Sequence, residues 1–163
     1  MDKQSFGALV LQNEQQLYRV AKSLLKNDED CADAAQEAVA KAYANLHTLR
    51  EDRYAKTWLV RILINTCYRI LKETSRNLPL DEKANTVDGM LQGSSKIETR
   101  QQYSELYEAL LELPRDLRMV LVLYYLEGYS IKEIAQILQL PSGTVKSRMS
   151  RGREQLRKLL AET

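Results

Sequence analysis

Apolar residues return every three or four positions along almost the whole chain, and this helical period lapses over one long stretch, residues 76–97. A period near 3.6 places such residues on one side of a helix, whereas no segment alternates with period two for long enough to make a strand. The expected fold class is therefore all-α. The stretch SRNLPLDEKANTVDGMLQGSSKI collects Pro79, Gly89, Gly93, Ser94 and Ser95, the composition of a flexible connector. Fully extended at about 3.3 Å per residue, it could separate its flanks by roughly 70 Å. Two small helical domains, 1–75 and 98–163, joined by a flexible linker at 76–97, are expected.

In the first domain the period predicts a helix over about 5–26 with Phe6, Leu9, Val10, Leu17, Val20, Ala21 and Leu24 on one face. Asn27-Asp28-Glu29-Asp30 stops it and caps a second helix over about 31–46, with Ala35, Ala38, Val39, Ala42, Tyr43 and Leu46 inward. A third runs from about Tyr54 to Thr74 and buries Ala55, Trp58, Leu59, Ile62, Leu63, Thr66 and Ile70. Trp58 could serve the core or stack on a base, and its place at the helix start favours the core. In the second domain a helix over about 98–113 presents Tyr103, Leu106, Tyr107, Leu110 and Leu113. Pro114 opens the next at its first helical position, with Leu117, Val120, Leu121 and Tyr124 inward, and Gly128 follows its end near Glu127.

Ser130-Ile131-Lys132-Glu133 has the form of a capping box, followed by Ile134, Ala135 and Leu138 on the apolar side of a short helix. Gln139-Leu140-Pro141 breaks that helix. Ser142 and Gly143 restart the chain, and Val145, Met149, Gly152, Leu156 and Leu159 form the stripe of a longer one. Its other faces carry Thr144, Lys146, Ser147, Arg148, Ser150, Arg151 and Arg153. Between 142 and 158 stand six cations, Lys146, Arg148, Arg151, Arg153, Arg157 and Lys158, against Glu154 alone, so the formal net charge of +2 conceals a basic end. A short helix, a tight turn and a longer basic helix match a helix-turn-helix, whose second helix enters the major groove. There arginine pairs with guanine and small hydroxyls hold phosphate.

The chemistry of enzymes is hard to place on this sequence. His47 is the lone histidine, Cys31 and Cys67 lie apart inside helical patterns, and neither GxxxxGK[ST] nor GxGxxG occurs. No metal, no cofactor and no catalytic residue is expected. The N-terminus lacks a secretory pattern and no apolar run is long enough to span a membrane, which predicts a cytoplasmic protein with isolated, buried thiols.

The segment EGYSIKEIAQILQLPSGTVKSRMSRGREQLRKLL closely resembles the promoter-reading helix-turn-helix of bacterial sigma factors, and LPRDLRMVLVLYYLEG resembles the part of the same domain before it. Similar modules also end many response regulators. The first domain separates the two families. Asp33-Ala34-Ala35-Gln36-Glu37-Ala38-Val39, with Lys41 and Tyr43, resembles the sigma segment that docks on the coiled coil of the largest RNA polymerase subunit. Ala34 and Ala35 replace larger aliphatic residues, so looser packing is expected there. Tyr54 to Thr66 resembles the promoter-melting helix, with Trp58 and the Arg61-Ile62 to Asn65 core in place.

The chain is identified as a member of the extracytoplasmic-function (ECF, group IV) subfamily of the sigma-70 family. The resemblance implies a sigma region 2 bundle at 1–75 and a sigma region 4 helix-turn-helix at 98–163. It implies core-polymerase docking by Asp33, Gln36, Glu37 and Lys41, exposed at i, i+3, i+4 and i+8. Minus-ten contacts fall to Thr57, Arg61, Asn65 and Arg69, with Lys72 on the same polar stripe. Minus-thirty-five contacts fall to Thr144, Lys146, Ser147, Arg148, Ser150 and Arg151. The loop Thr48 to Arg53 corresponds to the part that captures an extruded base. Implied partners are core RNA polymerase through its largest-subunit coiled coil and its flap, promoter DNA, and a cognate anti-sigma factor that is often membrane-anchored, with no insertion of this chain into a membrane. Two rival readings are a stand-alone dimeric helix-turn-helix regulator and a helical adaptor without nucleic acid.

Overall fold

The computed structural model describes residues 1–77 and 101–162, with side chains over 1–75 and 105–162. All regular elements among them are helical. The chain divides into two compact units that part between Val87 and Asp88. Most of the expected linker, and residues 98–100 of the helix after it, lie outside the described residues, as does the Tyr103 side chain.

The first unit holds α1 (Lys3–Gln12), α2 (Glu14–Leu24), α3 (Asp28–Ala44) and α4 (Ala55–Asn77), with 3-10 turns at Leu46–Thr48 and Asp52–Tyr54. The single helix expected over 5–26 is thus two. Asn13 leaves helical geometry at φ −113° and ψ 12°, and its Nδ2 donates to the Leu9 carbonyl at 2.8 Å. Asparagine offers its own amide in place of the backbone ladder, which favours a break. Of α1 only Phe6 is buried, while Leu9 and Val10 are half-buried; α2 contributes Leu17, Val20, Ala21 and Leu24 to the core. Asn27 does cap α3, its side chain accepting from the Asp30 amide at 2.7 Å.

The buried stripe of α3 is Cys31, Ala34, Ala38 and Ala42, all with zero exposure, so Ala38 and Ala42 are inward as expected while the rest of the expected set is displaced. Ala35, Val39 and Leu46 are half-buried, and Tyr43 is exposed, its ring edge-on to Phe6 at 6.1 Å. Packing explains the displacement. Helix α3 packs on both α2 and α4, and axes separate by the bulk at their contact, so small residues take the crowded side and larger ones its flank. Ala34 therefore closes the contact rather than loosening it.

Helix α4 packs on both α2 and α3, so its buried arc is broader than a single stripe. It holds Ala55, Leu59, Leu63 and Thr66 as expected, and also Val60, Ile64 and Cys67, whereas Trp58, Ile62 and Ile70 are half-buried. Burial pushes the thiols up, Cys31 to about 11 and Cys67 to about 12, so both behave as small apolar groups at neutral pH.

The second unit holds α5 (Gln101–Glu112), α6 (Arg115–Leu121), α7 (Ile131–Leu138) and α8 (Ser142–Ala161). Pro114 is the cap before α6 rather than its first residue, its carbonyl accepting from the Leu117 and Arg118 amides at 3.1 and 2.9 Å. After Leu121 the helix widens to a π-turn over Val122–Leu126, with the Glu127 amide donating to the Val122 carbonyl at 3.1 Å. A π-turn inserts one residue and swings those that follow. Tyr124, expected inward, is exposed as a result, together with Tyr125 and Leu126. Gly128 then takes φ +76°, which only glycine adopts without strain, and buried Tyr129 donates its amide to the Leu123 carbonyl at 3.0 Å.

Helix α8 packs on α5, α6 and α7 and buries Val145, Met149 and Gly152, with Leu156 and Leu159 half-buried. Gly152 marks its close approach to α6: an added Cβ would stand 2.9 Å from Leu121 Cδ1 and 3.3 Å from its Cγ. Leu121 is fully buried and has little room to yield. Overpacking at such a point costs about 1–3 kcal/mol. Gly152→Val is therefore expected to lower the stability of the second unit by about that amount, read by circular-dichroism melting; an unchanged midpoint would contradict the packing.

Candidate nucleic-acid interface

With the core side of each helix settled, its remaining faces follow. On α8 the buried residues Val145, Met149 and Gly152 leave two flanks. One carries Thr144, Ser147, Arg148 and Arg151 at i, i+3, i+4 and i+7; the other carries Lys146, Ser150, Arg153 and Arg157. Lys146, Ser147, Ser150 and Arg151 are exposed, and Thr144 and Arg148 half-buried. Among the described residues the only ion pair on this surface joins Arg157 to Glu154 at 3.2 Å. The cations at 146, 148, 151 and 153 thus remain available to phosphate and base edges.

The angle at which α8 is presented is fixed by the turn before it. The Ser130 capping box is complete, with the Glu133 amide donating to Ser130 Oγ at 3.1 Å and the Ser130 amide to Glu133 Oε1 at 2.9 Å. Ile134 and Ile137 are buried, with Ile131, Ala135 and Leu138 beside them half-buried. Gln139 then takes the left-handed conformation at φ 55° and ψ 50°, and the Leu140 amide closes on the Ala135 carbonyl at 3.0 Å. Arg118, which sequence reasoning passed over, braces the other side of the unit. Its guanidinium donates to the carbonyls of Leu111 and Leu113, both at 2.9 Å, where α5 ends. A cation at a helix C-terminus is favoured by the dipole, so the signal was an arginine one helical turn past Pro114.

In the first unit Asp33, Gln36, Glu37 and Lys41 are all exposed, on the side of α3 away from its alanine stripe. Along α4, Thr57 and Arg61 are half-buried and Asn65, Arg69 and Lys72 exposed. Thr57 donates its hydroxyl to the Tyr54 carbonyl at 3.0 Å, and the buried Nε of Arg61 has no hydrogen-bond partner. The row does not stay together. Each i+4 step turns about 40° on a helix of 3.6 residues per turn, so three steps carry Arg69 roughly 120° from Thr57. Arg69 accordingly pairs with Glu37 of α3, and with Glu73 at 2.8 Å. The hydrogen bonds it donates to Glu73 and then Glu37 raise its pKa further. In the loop before α4, Arg53 donates to Glu51 at 2.8 Å and lies over the Tyr54 ring at 4.7 Å, while Arg50 is exposed.

Residues 9–77 match the model of sigma-70 region 2, and residues 103–156 that of sigma-70 region 4. The ECF RNA polymerase sigma factor SigW of Bacillus subtilis is 30% identical over 171 residues, covering 99% of this chain and 91% of the relative. The ECF RNA polymerase sigma-E factor of Escherichia coli K12 is 34% identical over 163 residues, covering 94% and 85%. Among solved structures, the sigma factor RpoE in complex with the anti-sigma factor NepR from Bartonella quintana has a TM-score of 0.77 at 28% identity, covering 96% of this chain and 97% of that one.

The turn geometry carries its own test. A non-glycine residue in the left-handed region costs about 1–2 kcal/mol, partly offset in glycine by its freer unfolded chain. Gln139→Gly is expected to stabilise the second unit by up to about 1 kcal/mol, and Gln139→Val to destabilise it, in thermal melts. Val tolerated as well as Gly at this position would contradict the assigned turn.

Proposed function

This chain belongs to the sigma-70 family, in the ECF group of RNA polymerase sigma factors, and acts in promoter-specific transcription initiation; we propose how its surfaces divide that work. The second unit reads the minus-thirty-five element as duplex, with Arg148 and Arg151 at base edges and Thr144, Lys146, Ser147 and Ser150 positioning the helix on the backbone. The first unit docks on core polymerase through Asp33, Gln36, Glu37 and Lys41. It reads and opens the minus-ten element with Thr57, Arg61 and Asn65, while the loop 48–53 takes the extruded base. On this reading residues 1–75 and 98–163 are the working domains and 76–97 their connector.

The observation that carries the division is the contrast between the two surfaces. Helix α8 exposes cations with almost no internal carboxylate partners, as a phosphate-facing helix requires. The exposed side of α3 instead presents carboxylates, which DNA repels and a basic protein surface attracts. The chain is read as a binding factor, not an enzyme, acting without a cofactor. It is placed in the cytoplasm with polymerase and DNA, and no described helix is long and apolar enough to cross a membrane. The similar RpoE was solved with an anti-sigma factor, and a cognate anti-sigma factor is proposed here too.

Two variants test the division in a system reconstituted with core polymerase. Arg151→Ala is expected to lower promoter affinity about 10- to 100-fold, as loss of a bidentate base contact does, while core affinity holds. Unchanged recognition of the minus-thirty-five sequence would remove Arg151 from the interface. Charge reversal by Glu37→Lys is expected to weaken core binding at least about tenfold without unfolding the first unit, because it sets like charges together at the contact. Wild-type affinity for core in that variant would exclude the docking surface.

A further inference from the structure

The sequence places Arg69 with the minus-ten contacts, but its geometry serves the other surface. Its guanidinium bridges Glu37 on α3 and Glu73 one turn further along α4, and with Asp30, Asp33 and Gln36 these residues line one open groove between the two helices. Arg69 is half-exposed, and its guanidinium charge is already shared between two carboxylates, which weakens its attraction to phosphate. Glu37 by contrast stands on a four-bond chain at the surface, where a free glutamate samples many rotamers. Held by Arg69, it keeps one carboxylate oxygen committed to the guanidinium and its position fixed.

We propose that Arg69 is a positioning residue for polymerase docking, fixing Glu37 in the conformation that meets core, and that it makes no direct promoter contact. The inference rests on the docking role of Glu37 proposed above. Glu73 completes the device by bracing the guanidinium from the helix that carries it. The fork geometry matters, because only a planar guanidinium offers two rigidly related donor edges to two carboxylates; an ammonium is a point charge.

Charge alone makes the opposite prediction, which gives the test its force. Four carboxylates, Asp30, Asp33, Glu37 and Glu73, face the groove with the single cation Arg69. Removing that cation makes the surface more acidic and strengthens long-range attraction to a basic partner. Removing a brace instead frees Glu37, and re-immobilising such a side chain on binding lowers affinity by roughly 2- to 10-fold.

The experiment measures core affinity by competition binding, and separately open-complex formation at saturating core, for the full chain and its variants, each checked by circular dichroism. Arg69→Ala is expected to lose roughly 2- to 10-fold in core affinity while open-complex formation at saturation stays as in the wild type. Arg69→Lys and Glu73→Gln are expected to fall between, since each leaves Glu37 with one partial tether. Core binding by Arg69→Ala as tight as wild type, or tighter, would overturn the proposal, as would a promoter defect that persists at saturating core. Glu37→Lys in the same series separates the two readings. If it too binds core normally, the docking surface itself is misplaced; if it alone is defective, only the role of Arg69 fails.

Discussion

The contact of small residues at helix crossings fixes which way the exposed faces of α3 and α8 point. In the first unit the Cys31, Ala34, Ala38 and Ala42 stripe turns α3 so that Asp33, Gln36, Glu37 and Lys41 emerge on the opposite side. In the second, Gly152 lets α8 close on Leu121, and the basic flanks of α8 face outward as a consequence. Rotating either helix by one residue would turn its surface residues by about 100°. Packing therefore decides function here before any charge does.

Electrostatics then separates two surfaces that the net charge conceals. On α8 the cations are left largely without internal partners, the condition a phosphate-facing helix requires. Between α3 and α4 the cation is paired internally with two carboxylates, in a groove whose lining is acidic overall. An exposed ion pair contributes little to stability, so the arrangement of Arg69 is better understood as orientation of a contact surface than as reinforcement of the fold.

Much of this was legible in the sequence because helical period and capping chemistry are local. The capping box at Ser130, the cap at Asn27, the positive φ at Gly128 and the stripe Val145, Met149, Gly152 all follow from residues within a turn of one another. What the sequence concealed depends on neighbours. Part of the inward face of α3 was misjudged because bulk suggested Val39 and Tyr43, when the close contact with α2 and α4 selects alanine. The break at Asn13 and the π-turn after Leu121 are departures from the very period used to find the helices. Arg69 continues the Thr57 row by i+4 steps, but that row winds around the helix, so its pairing with Glu37 is a contact the spacing does not announce. The grouping of Glu51, Arg53 and Tyr54 before α4 is likewise a matter of loop geometry, made by contacts that no periodicity announces.

The central claim is that the two units form one promoter reader whose DNA-melting activity exists only on polymerase. Permanganate footprinting of a cognate promoter tests it most directly, because unpaired thymines react and paired ones do not. The account predicts reactive thymines upstream of the start site when the chain and core polymerase are both present, and none with either alone. Symmetric protection of a two-fold operator by the chain alone, with no thymine reactivity when core is added, would contradict it and favour a stand-alone dimeric regulator.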